Sequence, residues 1–200
     1  MATKRRAETM EENRAKLITA ARKSFAERGF AAVSMDELTT SVGLTRGALY
    51  HNFGDKKGLL AAVVAQVDGE MAQRAKAAAA NASDDWEKLL AEGIAYIKMA
   101  LDTEVSRIVL LDGPAFLGDP TQWPSQNNCL KSTRQTVINL IERGVLKSVD
   151  ADAAAHLLNS SALNSALWIA ASDDPQRALP KMIEVFIQLA GGLRNSSNKL

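Results

Sequence analysis

Residues 34–57 read SMDELTTSVGLTRGALYHNFGDKK, and their pattern predicts two short helices joined by a tight turn. Ser34 followed three positions later by Glu37 is a capping-box pattern, in which the hydroxyl accepts a backbone N–H and the carboxylate reaches back to the cap. A helix is therefore expected to begin at Met35. Gly43 supplies a left-handed residue to end it, with Leu44 placed to fold back on Leu38. Thr45 can cap a second helix. At about 100° per residue, Leu49 and Phe53 point to one side of that helix, and Arg46, Gly47, Tyr50 and His51 point to the other.

The outward side carries the chemistry that duplex DNA requires. Arg46 can pair with the O6 and N7 of guanine or clamp a phosphate, and Gly47 lets the backbone approach closely. Thr45 offers a hydroxyl and a methyl, while Tyr50 and His51 can donate to phosphates from the groove edges. Asp55 reads as the N-cap of a further helix that opens with Lys56 and Lys57, a terminus suited to an anion. Helix, tight turn and helix also recur in proteins that never touch nucleic acid, so the hairpin by itself leaves that alternative open. Upstream, Leu17, Ile18, Ala21 and Phe25 form a helical stripe over residues 14–30 that stops at Gly29, with Phe30 set to pack on Phe25. Three helices then make one compact unit.

From Ala20 to Leu60 the segment AARKSFAERGFAAVSMDELTTSVGLTRGALYHNFGDKKGLL resembles the amino-terminal domain of the tetracycline-repressor (TetR) family of bacterial transcription regulators. The resemblance rests on the aromatic-plus-glycine end of the first helix, the Ser34 cap, the Gly-Leu turn, the LY-x-x-F helix and the lysine after it. It implies phosphate contacts from Ser34, Tyr50 and Lys56, with Thr45, Arg46, Gly47 and His51 nearest to bases or adjacent phosphates. Many members place histidine where this chain has Asn52, whose amide can still donate to phosphate.

The 200 residues, 46% of them apolar, are enough to bury a core of one or two domains. The net charge of +1 is unevenly divided: residues 1–60 hold 11 basic and 7 acidic groups, leaving the remainder at −3. Lys4, Arg5 and Arg6 suggest either a DNA-contacting arm or a solvated tail. One cysteine, Cys129, excludes an internal disulfide, and with only His51 and His156 there is no cluster at metal-ligand spacing. No metal and no cofactor are expected. The start lacks the apolar stretch of a signal peptide, and no apolar run approaches the roughly 18 residues of a membrane span, so a cytoplasmic protein is expected.

Beyond the hairpin, Leu60, Val64, Val67 and Met71 define a fourth helix, and Asp84 or Ser83 caps another along Leu89, Leu90, Ile94, Ile97 and Leu101. Gly93 within it costs about 1 kcal/mol of helix propensity but permits close packing. The breaker-rich stretch GPAFLGDPTQWP, residues 113–124, is expected to separate a short apolar helix from long ones near 125–143, 151–171 and 175–193. The fold class is all-α: a helix-turn-helix DNA-binding domain over residues 1–57, then a helical ligand-binding and dimerisation domain over 58–200.

Small residues from Ala153 to Ala166, interleaved with Leu157, Leu158 and Leu163, together with Val185, Phe186 and Leu189, would suit a two-fold helix interface or intramolecular packing. A homodimer through the last two helices would read a near-palindromic operator. Candidate lining for a mostly apolar ligand cavity, of the kind the resemblance implies, is Tyr96, Met99, Phe116, Trp123, Asn164 and Trp168; Arg107 and Arg134 are the cations available to an anionic ligand. The two histidines are far apart and suggest no catalytic constellation, so an enzyme is not expected. The expected function is a repressor released from its operator by a small ligand. The alternative is a helical carrier or interaction module that leaves the hairpin unused.

Overall fold

The computed structural model describes residues 2–195, with side chains from Glu8 onward, so Lys4, Arg5 and Arg6 lie outside the described side chains. Among the described residues ten α-helices run in order: α1 (Ala2–Arg28), α2 (Met35–Ser41), α3 (Arg46–Phe53), α4 (Lys56–Ala78), α5 (Asp85–Lys98), α6 (Thr103–Val105), α7 (Gly113–Leu117), α8 (Pro124–Glu142), α9 (Ala151–Ala170) and α10 (Pro175–Gly191). Among the described residues the only β pairing is an isolated antiparallel bridge between Leu146 and Arg194. No described helix is long and apolar enough to cross a membrane.

Contacts divide the chain into two compact units. The first holds residues 1–67 and 103–118, and the second residues 68–102 and 119–200. The division therefore falls inside α4, past the position expected from sequence, and residues 103–118 join the amino-terminal unit.

In the first unit α1, α2 and α3 pack on one another around Leu17, Ala21, Phe25, Leu38, Leu49 and Leu59, all at most 2% exposed. Burying each such side chain contributes about 1.5–3 kcal/mol. The first helix begins well before residue 14, because no breaker intervenes between Ala2 and Gly29. Gly29, at φ 78°, ends it, and Phe30 meets Phe25 edge-on at 5.4 Å. Residues 103–118 depart from the expected break at Gly113. Between α6 and α7 the chain forms a wide π-helical turn over Ser106–Asp112, and helical geometry continues through Leu117. Pro114 falls in the opening turn of α7, directly after the widened turn ends. This segment is held to α1 and its exit by the forked pair of Arg22 with Glu104, both arms 2.7 Å, and by the Phe30 N–H donating to Asp112 at 2.7 Å.

The second unit packs α5, α8, α9 and α10 on one another. Asp84 caps α5 by accepting the Glu87 N–H at 2.7 Å, and Glu87 answers by accepting from the Ser83 hydroxyl and N–H. One part of its core gathers Trp86, Leu89, Val137, Leu140, Leu146 and Leu158. Gly93 makes room for Phe186: a Cβ at that position would stand 2.5 Å from the end of the ring, which would have to shift.

Candidate nucleic-acid interface and ligand cavity

Ser34 caps α2 from extended backbone, its Oγ accepting the Asp36 N–H at 3.2 Å. The capping box is only half made, because the Glu37 carboxylate pairs instead with Arg28 at 3.0 Å. Gly43 takes φ 66°, and the Leu44 N–H donates to the Thr39 carbonyl at 2.9 Å, closing the turn. Thr45 caps α3 by accepting the Ala48 N–H. With both ends set, one turn of α3 buries Leu49 completely while Thr45, Arg46, Gly47, Tyr50 and His51 are exposed.

Gly47 has no internal reason to be glycine. A Cβ there would meet nothing nearer than Thr45 Oγ1, at 3.7 Å. Gly58 is the contrast: its Cβ would fall 1.9 Å from the Phe53 carbonyl oxygen, so the tight passage from α3 into α4 excludes a side chain. Asp55 caps α4 by accepting the Gly58 N–H at 2.7 Å.

Besides the capping residues Ser34 and Thr45, three residues of the predicted face are already engaged within the chain. Arg46 pairs with Asp36 at 2.8 Å, both side chains 60% exposed, a geometry worth about 0–1 kcal/mol and readily exchanged for phosphate or base. Asn52 is half-buried and its amide donates to the Ala48 carbonyl at 2.7 Å, so the expected donation to phosphate competes with a helix contact. The Lys56 ammonium lies 4.4 Å from the centre of the Phe30 ring and 3.4 Å from the Ala31 carbonyl oxygen. Burial lowers its pKa, with the Asp112 carboxylate opposing the shift.

In the second unit α4, α5, α8, α9 and α10 line a partly open cavity of about 100 Å³. Leu89, Leu90, Leu158, Ala162 and Phe186 form apolar wall; Tyr96, Gln126, Cys129, Thr133 and Asn159 bring polar atoms to it, and Lys76 and Glu92 also line it. Of the six predicted ligand residues the structure places Tyr96 alone on this wall. Met99 is core, 5% exposed, in the turn that follows α5. Phe116 belongs to the first unit, its ring 4.5 Å from that of Phe30. Trp123 stands at the start of α8 with its indole N–H buried, away from the lining. Asn164 and Trp168 look the other way, onto an open groove between α9 and α10 that Val185 and Leu189 share. The two arginines considered for an anion are also placed elsewhere. Arg107 lies over Gly29 in the first unit, and Arg134 pairs with Asp152.

Asn159, Gln126, Cys129 and Phe186 escaped sequence reasoning as cavity groups because several helices converge there and no local spacing marks them. Asp68 was detectable: it is an acid inside the apolar stripe of α4, four residues after Val64 and three before Met71. It is 3% exposed, and burial raises its pKa against hydrogen bonds from Ser125 and Gln126.

Comparison with known proteins gives these two regions a common setting. Residues 17–63 match the amino-terminal domain of bacterial regulatory proteins of the tetR family, and residues 86–193 match the tetracyclin repressor-like C-terminal domain. A solved TetR-family transcriptional regulator from Pectobacterium atrosepticum superposes with a TM-score of 0.85 at 46% identity, over 94% of this chain and 96% of that one. The Transposon Tn10 TetC protein of Escherichia coli is 28% identical over 148 residues, 72% of this chain and 73% of its own length. The HTH-type transcriptional regulator TtgR of Pseudomonas putida is 28% identical over 164 residues, covering 76% and 77%. With both halves of the chain matched and the outward face of α3 equipped for DNA, the protein belongs to the TetR family of DNA-binding transcriptional regulators.

Proposed function

We propose that the protein is a homodimeric repressor that leaves a near-palindromic operator when a small, mostly apolar ligand fills the cavity of its second unit. The observation that carries this reading is the division of labour on α3, where Leu49 is wholly buried while Thr45, Arg46, Gly47, Tyr50 and His51 face solvent. Arg46 reads a base edge and the backbone at Gly47 approaches the groove. Ser34, Tyr50 and Lys56 hold phosphates, and Asn52 does so only on giving up its contact with Ala48.

Dimerisation is supported by an apolar face on the last two helices. Leu157 is 71% exposed, Trp168 54%, Val185 50% and Leu189 62%. Phe186 also lines the groove between these helices but is itself only 4% exposed, its ring end lying against Gly93. Two recognition helices held about one DNA turn or a multiple apart convert modest single-head affinity into tight operator binding.

Release follows from linkage. A ligand that fits the cavity better when the heads are wrongly spaced lowers operator affinity by the factor by which DNA lowers ligand affinity, typically 1–3 kcal/mol or about 5- to 150-fold. The chain passes from one unit to the other within α4 and again on either side of residues 103–118, and these passages carry the change.

Electrophoretic shift titration over selected and random DNA, repeated across salt, tests the reading. Specific binding with a slope near −0.9 per neutralised phosphate is expected. Equal affinity for all sequences, or no response to salt, would overturn it.

A further inference from the structure

Two buried polar groups on the cavity wall have no hydrogen-bond partner among the described residues. They are the Tyr96 hydroxyl, beside the Gln126 side chain but not bonded to it in good geometry, and the Asn159 Nδ2 amide. One comes from α5 and the other from α9. Thr133 orients the amide: its hydroxyl donates to Asn159 Oδ1 at 2.8 Å, a closer contact than its 3.1 Å approach to the Cys129 carbonyl, and this leaves the NH2 group over. Burial, reinforced by the Asp68 carboxylate, raises the Tyr96 pKa far above its ordinary value, so the phenol keeps its proton and acts as a donor. Buried donors left unpaired are unfavourable, and two around one hollow suit an occupant that brings acceptors.

The surroundings restrict its charge. Asp68 and Glu92 lie near Cys129, and the one lysine in the lining, Lys76, is exposed to water. An anion entering past Lys76 meets these acids and leaves its own hydration behind. An ammonium brings only donors: the Glu92 carboxylate in the lining could take it, but the Tyr96 hydroxyl and the Asn159 amide would stay unpaired, and the Asp68 carboxyl is already hydrogen-bonded by Ser125 and Gln126. At about 100 Å³ the space is of the order of the ~150 Å³ engineered cavity that admits benzene.

We propose that the cavity takes a neutral, single-ring molecule whose hydroxyl or carbonyl oxygens accept hydrogen bonds from Tyr96 and Asn159. This rests on the cavity being the effector site.

Calorimetric titration of the full chain with phenol, benzaldehyde, toluene, benzoate and benzylamine tests it. Phenol and benzaldehyde should bind about 10-fold or more tighter than the other three. Tyr96→Phe should weaken phenol about 10-fold and leave toluene unchanged, which also reports that the variant is folded. The proposal is overturned if benzoate or benzylamine binds tightest, if toluene equals phenol, if none of the five binds, or if Tyr96→Phe changes nothing. A parallel operator-shift assay with saturating phenol separates the two readings. Binding as expected without release of DNA removes the effector role and leaves the cavity chemistry standing.

Discussion

The recognition helix and the cavity wall place polar groups in opposite ways. On α3 the outward ones stand in water with few ties inside the protein: Gly47 has room for a side chain, and Arg46 has only an exposed partner. Around the cavity they are buried, and the Tyr96 hydroxyl and the Asn159 amide nitrogen are left without partners. A surface that binds a large polyanion can leave its donors hydrated and exchange water at contact. A pocket for a small molecule must hold its donors dry, and two unmet hydrogen bonds on one wall are what the proposed site offers a ligand.

The largest effect expected is structural and confined to the support of the first region. Leu49→Ala removes a fully buried side chain and should cost about 2–5 kcal/mol in a denaturant titration, with operator binding lost as the head loosens. If the variant melted normally and bound DNA normally, the burial of Leu49 would not be what presents the polar face.

Next come the groups proposed to touch DNA. Arg46→Ala should reduce discrimination between operator and random sequence by about 1–3 kcal/mol without changing the melting temperature, while Lys56→Ala should weaken both DNAs alike and reduce the salt slope by about 1. Identical behaviour of the two variants in the shift assay would erase the distinction between reading and anchoring.

The glycines sharpen the comparison further. Gly47→Ala should stabilise the protein by about 0.5–1 kcal/mol through helix propensity, since the added methyl has room, while weakening operator binding. Gly93→Ala should do the reverse, lowering the melting temperature because its methyl meets Phe186. Operator affinity that survives Gly47→Ala unchanged would remove the argument for close backbone approach.

The smallest effect concerns the buried acid beside the cavity. The folded-state pKa of Asp68 is raised by burial, so the folded protein binds its proton more tightly than the unfolded chain, and stability falls as pH rises from the unfolded value through the folded one. Asp68→Asn should therefore gain thermal stability relative to the parent at neutral pH, with the gain vanishing as pH falls below the ordinary aspartate range. A difference independent of pH would show that Asp68 acts through its hydrogen bonds with Ser125 and Gln126 rather than through its charge.

What could be read from the amino acids alone is what depends on near neighbours in the chain. The caps at Ser34, Thr45 and Asp84, the left-handed glycines at 29 and 43, the apolar stripe of α4 and the outward set on α3 all follow from interactions within about four residues, where period and capping chemistry are decisive. Where several partners compete, local pattern is ambiguous: Glu37 chose Arg28 over its cap, and the glycine and proline at 113 and 114 sit inside continued helical structure.

Tertiary structure alone settled which buried side chains share a space. Met99, Phe116 and Trp123 look as suitable for a ligand as Tyr96 does, yet only Tyr96 reaches the cavity, in company with Asn159 from a helix more than fifty positions away. Composition says that a residue will be buried; the meeting of five helices says against what. Hydrophobic burial has no direction and is satisfied by many packings, whereas a hydrogen bond to a ligand requires a particular one.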